Sequence, residues 1–181
     1  MKYTSTLLMI CLSSFLVQAQ PILISNKAAV SFFSSTVLED IEGKSNMGSS
    51  AIDAKTGDIL FKVPNTSFQF KKKLMQEHFN ENYMESDKYP TSEFKGKLEK
   101  PIDLSVNGNY KVNVAGNLTV HGVTKAYKSV ADIVVNNGLA TAKTVFKVRI
   151  ADHKIEIPSL VLKNIAEYVE VRVQASYQPK K

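Results

Sequence analysis

The chain has 181 residues, 44% of them hydrophobic, and its 23 basic side chains outnumber 17 acidic ones for a formal charge of +6. That length suits one domain with a sizeable core. The single cysteine, Cys11, lies in an N-terminal segment that reads as a removable leader, so disulfides, thiolate metal sites and thiol nucleophiles are excluded from the mature chain.

Residues 1–19 read as an export signal: Lys2 is their only charge, Leu7 to Val17 is apolar, and Val17-Gln18-Ala19 forms a small-residue cleavage site before Gln20. The run is shorter than the roughly 20 residues of a membrane span. Ile10 before Cys11 does not suit lipidation, which needs a small residue there. The expectation is a soluble periplasmic or secreted protein with one domain over 20–181.

Period-two alternation follows, the mark of strands with one covered face. Ile59, Phe61 and Val63 point one way and Leu60 and Lys62 the other, and Phe68 and Phe70 continue the pattern beyond Pro64. Tyr110, Val112, Val114, Gly116, Leu118 and Val120 form one face of a long strand opposite Lys111, Asn113, Asn117 and Thr119. Phe146, Val148 and Ile150 repeat the pattern, as do Val169, Val171, Val173, Ala175 and Tyr177. Turn signals separate the runs at 53–58, 107–109, 121–123, 136–138 and 151–153, and Asn137-Gly138 suits a two-residue hairpin because both residues tolerate positive φ. The fold class is therefore mainly all-β: an antiparallel sheet closed into a barrel, with a β-sandwich as the competing architecture.

Two segments break the rhythm. Lys71 to Asn80 places Leu74, Met75, His78 and Phe79 on one helical face. Pro158 to Ile165 reads as a further helical turn or an irregular crossover.

Catalytic signatures are missing. There is no Gly-x-Ser-x-Gly elbow, no phosphate loop, and no paired acids outside Glu39, Asp40 and Glu42, which are expected to face solvent in a strand-end loop. No catalytic residue is assigned, and the protein is not expected to be an enzyme. His78, His121 and His153 have no paired metal-ligand spacing, so no metal site or cofactor is assigned. His78 reads as a packed helix residue or as a polar contact for a ligand head. His121 reads as a structural hydrogen-bonding group beside a turn, and His153 as a solvated hairpin tip. Asp53 to Asp58 is a turn, since Lys55 and the missing closing Glu contradict a calcium loop. Asn65-Thr66-Ser67 and Asn117-Leu118-Thr119 are formal glycosylation sequons, neither assigned. The basic residues are dispersed apart from Lys71-Lys72-Lys73 and Lys180-Lys181, with no stripe interleaved with aromatics, so nucleic acid is not an expected partner.

What remains is an apolar interior. Phe32, Phe61, Phe68, Phe70, Phe79, Phe94 and Phe146 recur at inward-reading positions. Such rings either fill a barrel or line a long apolar site, and periodicity does not choose between the two.

Two strings add a resemblance. Leu74-Met75-Gln76-Glu77-His78-Phe79 leads to Lys88-Tyr89-Pro90, and Gly116-Asn117-Leu118-Thr119-Val120-His121-Gly122-Val123-Thr124-Lys125 forms a strand and turn. Together they resemble the YceI-like family of secreted lipid-binding proteins. Val30-Ser31-Phe32, Ile41-Glu42-Gly43, Phe61-Lys62-Val63-Pro64 with Phe68, and Tyr89-Pro90-Thr91 with Phe94 extend the similarity over Val30 to Ser176. The resemblance implies an extended lipocalin-like barrel with one or two short helices, holding a polyisoprenoid chain such as an isoprenoid quinone in its tunnel. The expected partner is thus a long isoprenoid or quinone-like lipid, sequestered or carried without being transformed. The expected lining is the seven phenylalanines, Leu74, Met75 and His78 from the helix, and Val112, Val114, Leu118 and Val120 from the long strand. The contrasting expectation is a ligand-free secreted β-domain acting through its surface, in an adhesive or stress-related role. The oligomeric state, homodimer included, stays open at this stage.

Overall fold

The computed structural model describes residues 22–101, 103, 106–158 and 165–180. Residues 1–21, which include the expected leader, and residues 159–164 of the expected 158–165 helical turn or crossover lie outside the described residues. Among the described residues the alternating runs form nine strands: β1 (Ile22–Ser35), β2 (Asp40–Asp53), β3 (Asp58–Pro64), β4 (Gln69–Phe70), β5 (Thr91–Leu98), β6 (Gly108–Val120), β7 (Val123–Asn136), β8 (Leu139–Arg149) and β9 (Tyr168–Pro179). Between β4 and β5, helix α1 (Lys73–His78) runs into a π-helical turn (Phe79–Tyr83).

Eight strands close on themselves in the order β1-β9-β8-β7-β6-β5-β3-β2, with β2 pairing back to β1, and every pairing is antiparallel. Closure removes the free edges that two stacked sheets would leave, so the barrel and not the sandwich is the architecture. The two-residue β4 adds to β2 at Gly43 and Lys44. Tight hairpins set the register. Asn137 (φ 49°) and Gly138 (φ 78°) join β7 to β8, and His121 (φ 50°) and Gly122 (φ 69°) join β6 to β7. Both pairs hold the left-handed conformation that matches strand twist in a two-residue turn. Asp53 fixes the β2–β3 turn by accepting the amides of Lys55 and Thr56 on its Oδ1.

The inward faces follow the alternation. In β6, Val112 and Leu118 are buried while Lys111, Asn113 and Asn117 are exposed. The two ends of the barrel differ, however. At one end Leu23, Ala28, Ile52, Leu98, Val112, Ile133, Val135, Ala140 and Tyr177 pack into a solid core. At the other, Val30, Val63 and Phe68 are joined by Phe32, Phe61, Phe70, Phe79, Val171 and Val173, which stay only partly buried.

The wall is paired unevenly. β7–β8 pairing runs from the Asn136–Leu139 turn only as far as Ala131 and Thr144. Beyond that fork, Val123–Val130 pairs with β6 alone and Val145–Arg149 with β9 alone. Thr144 closes the crotch, donating its hydroxyl to the Val130 carbonyl at 2.9 Å while accepting from Ser129 at 2.7 Å.

Three sequence expectations are corrected here. His153 is no solvated tip: Ile150–His153 forms a 3-10 turn and His153 is fully buried, because this turn folds against β7 where β8 has left it. Leu74 does not share the covered helix face and is 60% exposed, since the six-residue helix turns Met75 inward, with Phe79 of the π-helical turn following it, and leaves Leu74 on its flank. Glu39 is half-buried and forms an ion pair with Lys72 at 2.9 Å.

Candidate functional site

The partly filled end of the barrel holds a cavity of about 380 Å³, within the roughly 300–1,000 Å³ range of small-molecule sites. Its floor is the solid core, met at Ile52, Leu98, Ile133, Ala142, Ala175 and Tyr177. Aromatic rings form much of its wall. Phe32 stacks on Phe79 with centroids 5.3 Å apart and planes at 20°, and Phe68 and Phe70 pack against both at 5.0–5.7 Å.

Glycines make room for these rings. A Cβ at Gly43 would stand 2.5 Å from Phe32 Cε1, one at Gly48 3.0 Å from Phe61 Cζ, and one at Gly96 2.5 Å from Phe94 Cζ. Gly96 also faces Gly116 in the β5–β6 register, so Phe94 lies over a patch of bare backbone. Rings seated in this way lie along the wall, and the lumen between them stays open.

The polar groups of the wall are occupied by one another. Asn65 is fully buried, donates to the Tyr89 carbonyl at 2.6 Å and accepts from Ser92 at 2.8 Å. Ser34 accepts the Ala166 amide at 2.8 Å, and Tyr177 donates to Ser50 at 2.8 Å. Among the described residues no buried side-chain polar atom lacks a partner. Burial raises the Tyr177 hydroxyl above its ordinary pKa, against the opposing bond to Ser50. Since Asn65 is sealed inside, the first sequon is unavailable to a glycan.

A histidine pair braces the fork. His153 donates from Nδ1 to the Val123 carbonyl at 3.0 Å, leaving Nε2 to accept the Tyr127 hydroxyl at 3.1 Å, and Tyr127 lies on the cavity wall. Burial pushes the His153 imidazole below its ordinary pKa, against the bonds to Val123 and Val120. His121 donates from Nδ1 to the His153 carbonyl at 3.1 Å, and its Nε2 meets Glu85 at 2.8 Å. A structural role was expected of His121, and its bonds are of that kind. Among the described residues no group of three metal-ligating side chains converges.

Of the residues expected to line a tunnel, Phe32, Phe61, Phe68, Phe70, Met75, His78, Phe79, Phe94, Val114, Leu118, Val120 and Phe146 border the cavity. Val112 sits in the solid core and Leu74 faces solvent. His78 is exposed at the rim, with Glu39 and Tyr83 also bordering the opening. Sequence reasoning did not single out Tyr127, Ile155, Ile157 or Ile165 as lining residues. The alternation places Val169, Val171 and Val173 inward, the available signal for β9, whereas Ile155, Ile157 and Ile165 lie outside any helix or strand, with no periodicity to read.

The fold and sequence have known counterparts. A polyisoprenoid binding domain from Saccharophagus degradans implicated in plant cell wall breakdown superposes with a TM-score of 0.74 and 15% identity, over 89% of this chain and 99% of that one. BcnA of Burkholderia cenocepacia gives 0.69 and 18%, over 82% and 95%. The YCEI protein of Campylobacter jejuni gives 0.61 and 19%, over 77% and 85%. No curated protein matches the chain. The family model for the YceI-like domain matches residues 23–177, the full circuit of the barrel from β1 to β9, and the chain belongs to the YceI-like family.

Proposed function

We propose that this protein is an extracytoplasmic binding protein that holds the chain of a polyisoprenoid lipid in the cavity and carries it without chemical change. The observation that carries the reading is the half-filled barrel, a cavity walled by aromatic and aliphatic side chains whose buried polar neighbours already have protein partners. Such a site offers little to a polar ligand and much to an apolar one. Each methylene withdrawn from water contributes about 0.8 kcal/mol, so a few isoprene units bind well with little polar recognition. The name of the Saccharophagus relative, a polyisoprenoid binding domain, supports the same ligand class. The leader at 1–19 supports export. His78 and Tyr83 among the lining residues support a polar contact to the head of a ligand such as a quinone, and Phe61, Phe94 and Phe146 support an apolar site for its chain.

Organic extraction of protein purified from its native host, followed by mass spectrometry, tests this reading. A stoichiometric isoprenoid lipid is expected. Repeated recovery of lipid-free protein that also takes up no added polyisoprenoid would favour a β-domain acting through its surface.

A further inference from the structure

The rim of the cavity carries a feature that ligand storage does not require. The β1–β2 hairpin tip is built rigidly: Thr36 Oγ1 accepts the amides of Leu38 and Glu39, the Thr36 amide donates to the Glu39 carbonyl at 3.1 Å, and Ser35 donates to Asp40 at 2.6 Å. All of that polar bracing presents two apolar side chains to water. Val37 is fully exposed and Leu38 is 64% exposed. Exposed aliphatic residues are unremarkable singly, but two on a braced tip beside a cavity mark a contact surface.

The same rim carries three consecutive exposed lysines, Lys71, Lys72 and Lys73, among the acids Glu39, Asp40 and Glu77. Lys72 ties the tip to the helix through Glu39 at 2.9 Å, which brings Lys71 and Lys73 and the exposed Leu74 beside it. Lys71 has no ion-pair partner among the described residues, and Lys73 makes only a 3.5 Å contact with Glu77 one turn away, on its own helix. Glu39, Ile41, Met75 and His78 then lead directly into the cavity. Apolar side chains beside Lys71, without an ion-pair partner among the described residues, and the loosely held Lys73 match the chemistry of an anionic bilayer, whose acyl region accepts the former and whose surface potential attracts the latter.

We propose that the rim formed by Val37, Leu38, Leu74, Lys71 and Lys73 docks reversibly on an anionic lipid bilayer, setting the cavity mouth against the membrane for lipid transfer. The inference rests on the polyisoprenoid reading, since a polyisoprenoid resides in membranes and must leave or enter one there. Lys55, in the β2–β3 turn, and Lys180, bonded through its amide to Ile22, border no cavity among the described residues.

Flotation with vesicles of phosphatidylcholine, alone or mixed with phosphatidylglycerol, tests the docking. The protein is used once mass spectrometry has placed its N-terminus at Gln20, so that the apolar leader contributes nothing. Binding to the phosphatidylglycerol vesicles is expected, weakened by salt. Lys71→Gln with Lys73→Gln should reduce partitioning about fivefold per lysine, the equivalent of about 1 kcal/mol for each charge near an anionic surface. Val37→Ser with Leu38→Ser should reduce it as well, and Lys55→Gln with Lys180→Gln should not. Absence of vesicle binding by the wild type, equal binding by the rim variants, or an equal loss in the Lys55/Lys180 variant would overturn the proposal. Calorimetric titration with farnesol, which needs no vesicle, reads the cavity separately. Rim variants should keep that binding, and its absence from the wild type would count against the cavity reading and not the docking.

Discussion

The ring of Phe94 lies over Gly116, so closely that a methyl group at residue 116 would stand 2.7 Å from its Cζ. The same methyl would collide with the Lys95 carbonyl and the Gly96 Cα across the β5–β6 pair. Gly116→Ala must therefore move both a ring and two strands. Overpacking of this kind costs about 1–3 kcal/mol, and urea denaturation is the measurement. The displaced ring should also narrow the lumen, lowering affinity for a branched isoprenoid more than for a slim linear alkyl chain.

His153 gives the fold an acid sensitivity whose sign is fixed by its surroundings. Burial holds its folded-state pKa below the ordinary value of 6.5, so the unfolded chain binds the extra proton first as pH falls. Stability tied to this residue is fully present above about pH 6.5 and declines as acidification proceeds toward the depressed folded value. Protonation also turns Nε2 into a donor facing the Tyr127 hydroxyl, which must then rotate away. Thermal melts across pH 5 to pH 8 should show the decline, and His153→Gln should flatten it. An unchanged pH profile in the variant would assign the decline to other groups.

His78 stands at the rim with its ring bordering the cavity while remaining exposed. His78→Phe should leave the fold intact. If the imidazole meets a ligand head, the variant should lose about 0.5–1.5 kcal/mol of affinity for an isoprenoid quinone, the typical net value of one hydrogen bond, and none for a plain polyprenol. Equal losses for both ligands, measured by calorimetry, would make the residue a packing element only.

Much of the barrel was legible because alternation reports directly which residues share a face. The inward set of β6 from Val112 to Val120, the Asn137-Gly138 hairpin and the inward phenylalanines all follow from local pattern. What alternation does not encode is whether inward residues meet. The difference between the solid and hollow ends depends on which strands face one another across the barrel, and on glycines such as Gly96 and Gly116 that seat rings against the wall. His153 was misread for a related reason. Ala151-Asp152-His153 resembles a hairpin tip locally, but β8 parts from β7 after Thr144 and the turn folds back over that gap. Leu74 shows the limit of a helical-face argument in a helix of six residues, where an offset of one residue, about 100° around the axis, separates the covered Met75 from the solvated Leu74.

The cavity itself is most simply tested by filling it. Ala142, a small residue on β8 at the cavity floor, packs against the solid core, and the chain contains no tryptophan, so Ala142→Trp both occupies the lumen and supplies a fluorescent reporter. Long-chain polyprenol should bind the wild type one to one in native mass spectrometry and the folded variant at least about tenfold more weakly, a difference of about 1.4 kcal/mol. Equal binding by the two proteins, with the variant shown to be folded by circular dichroism, would place the lipid outside the barrel and contradict the proposed function.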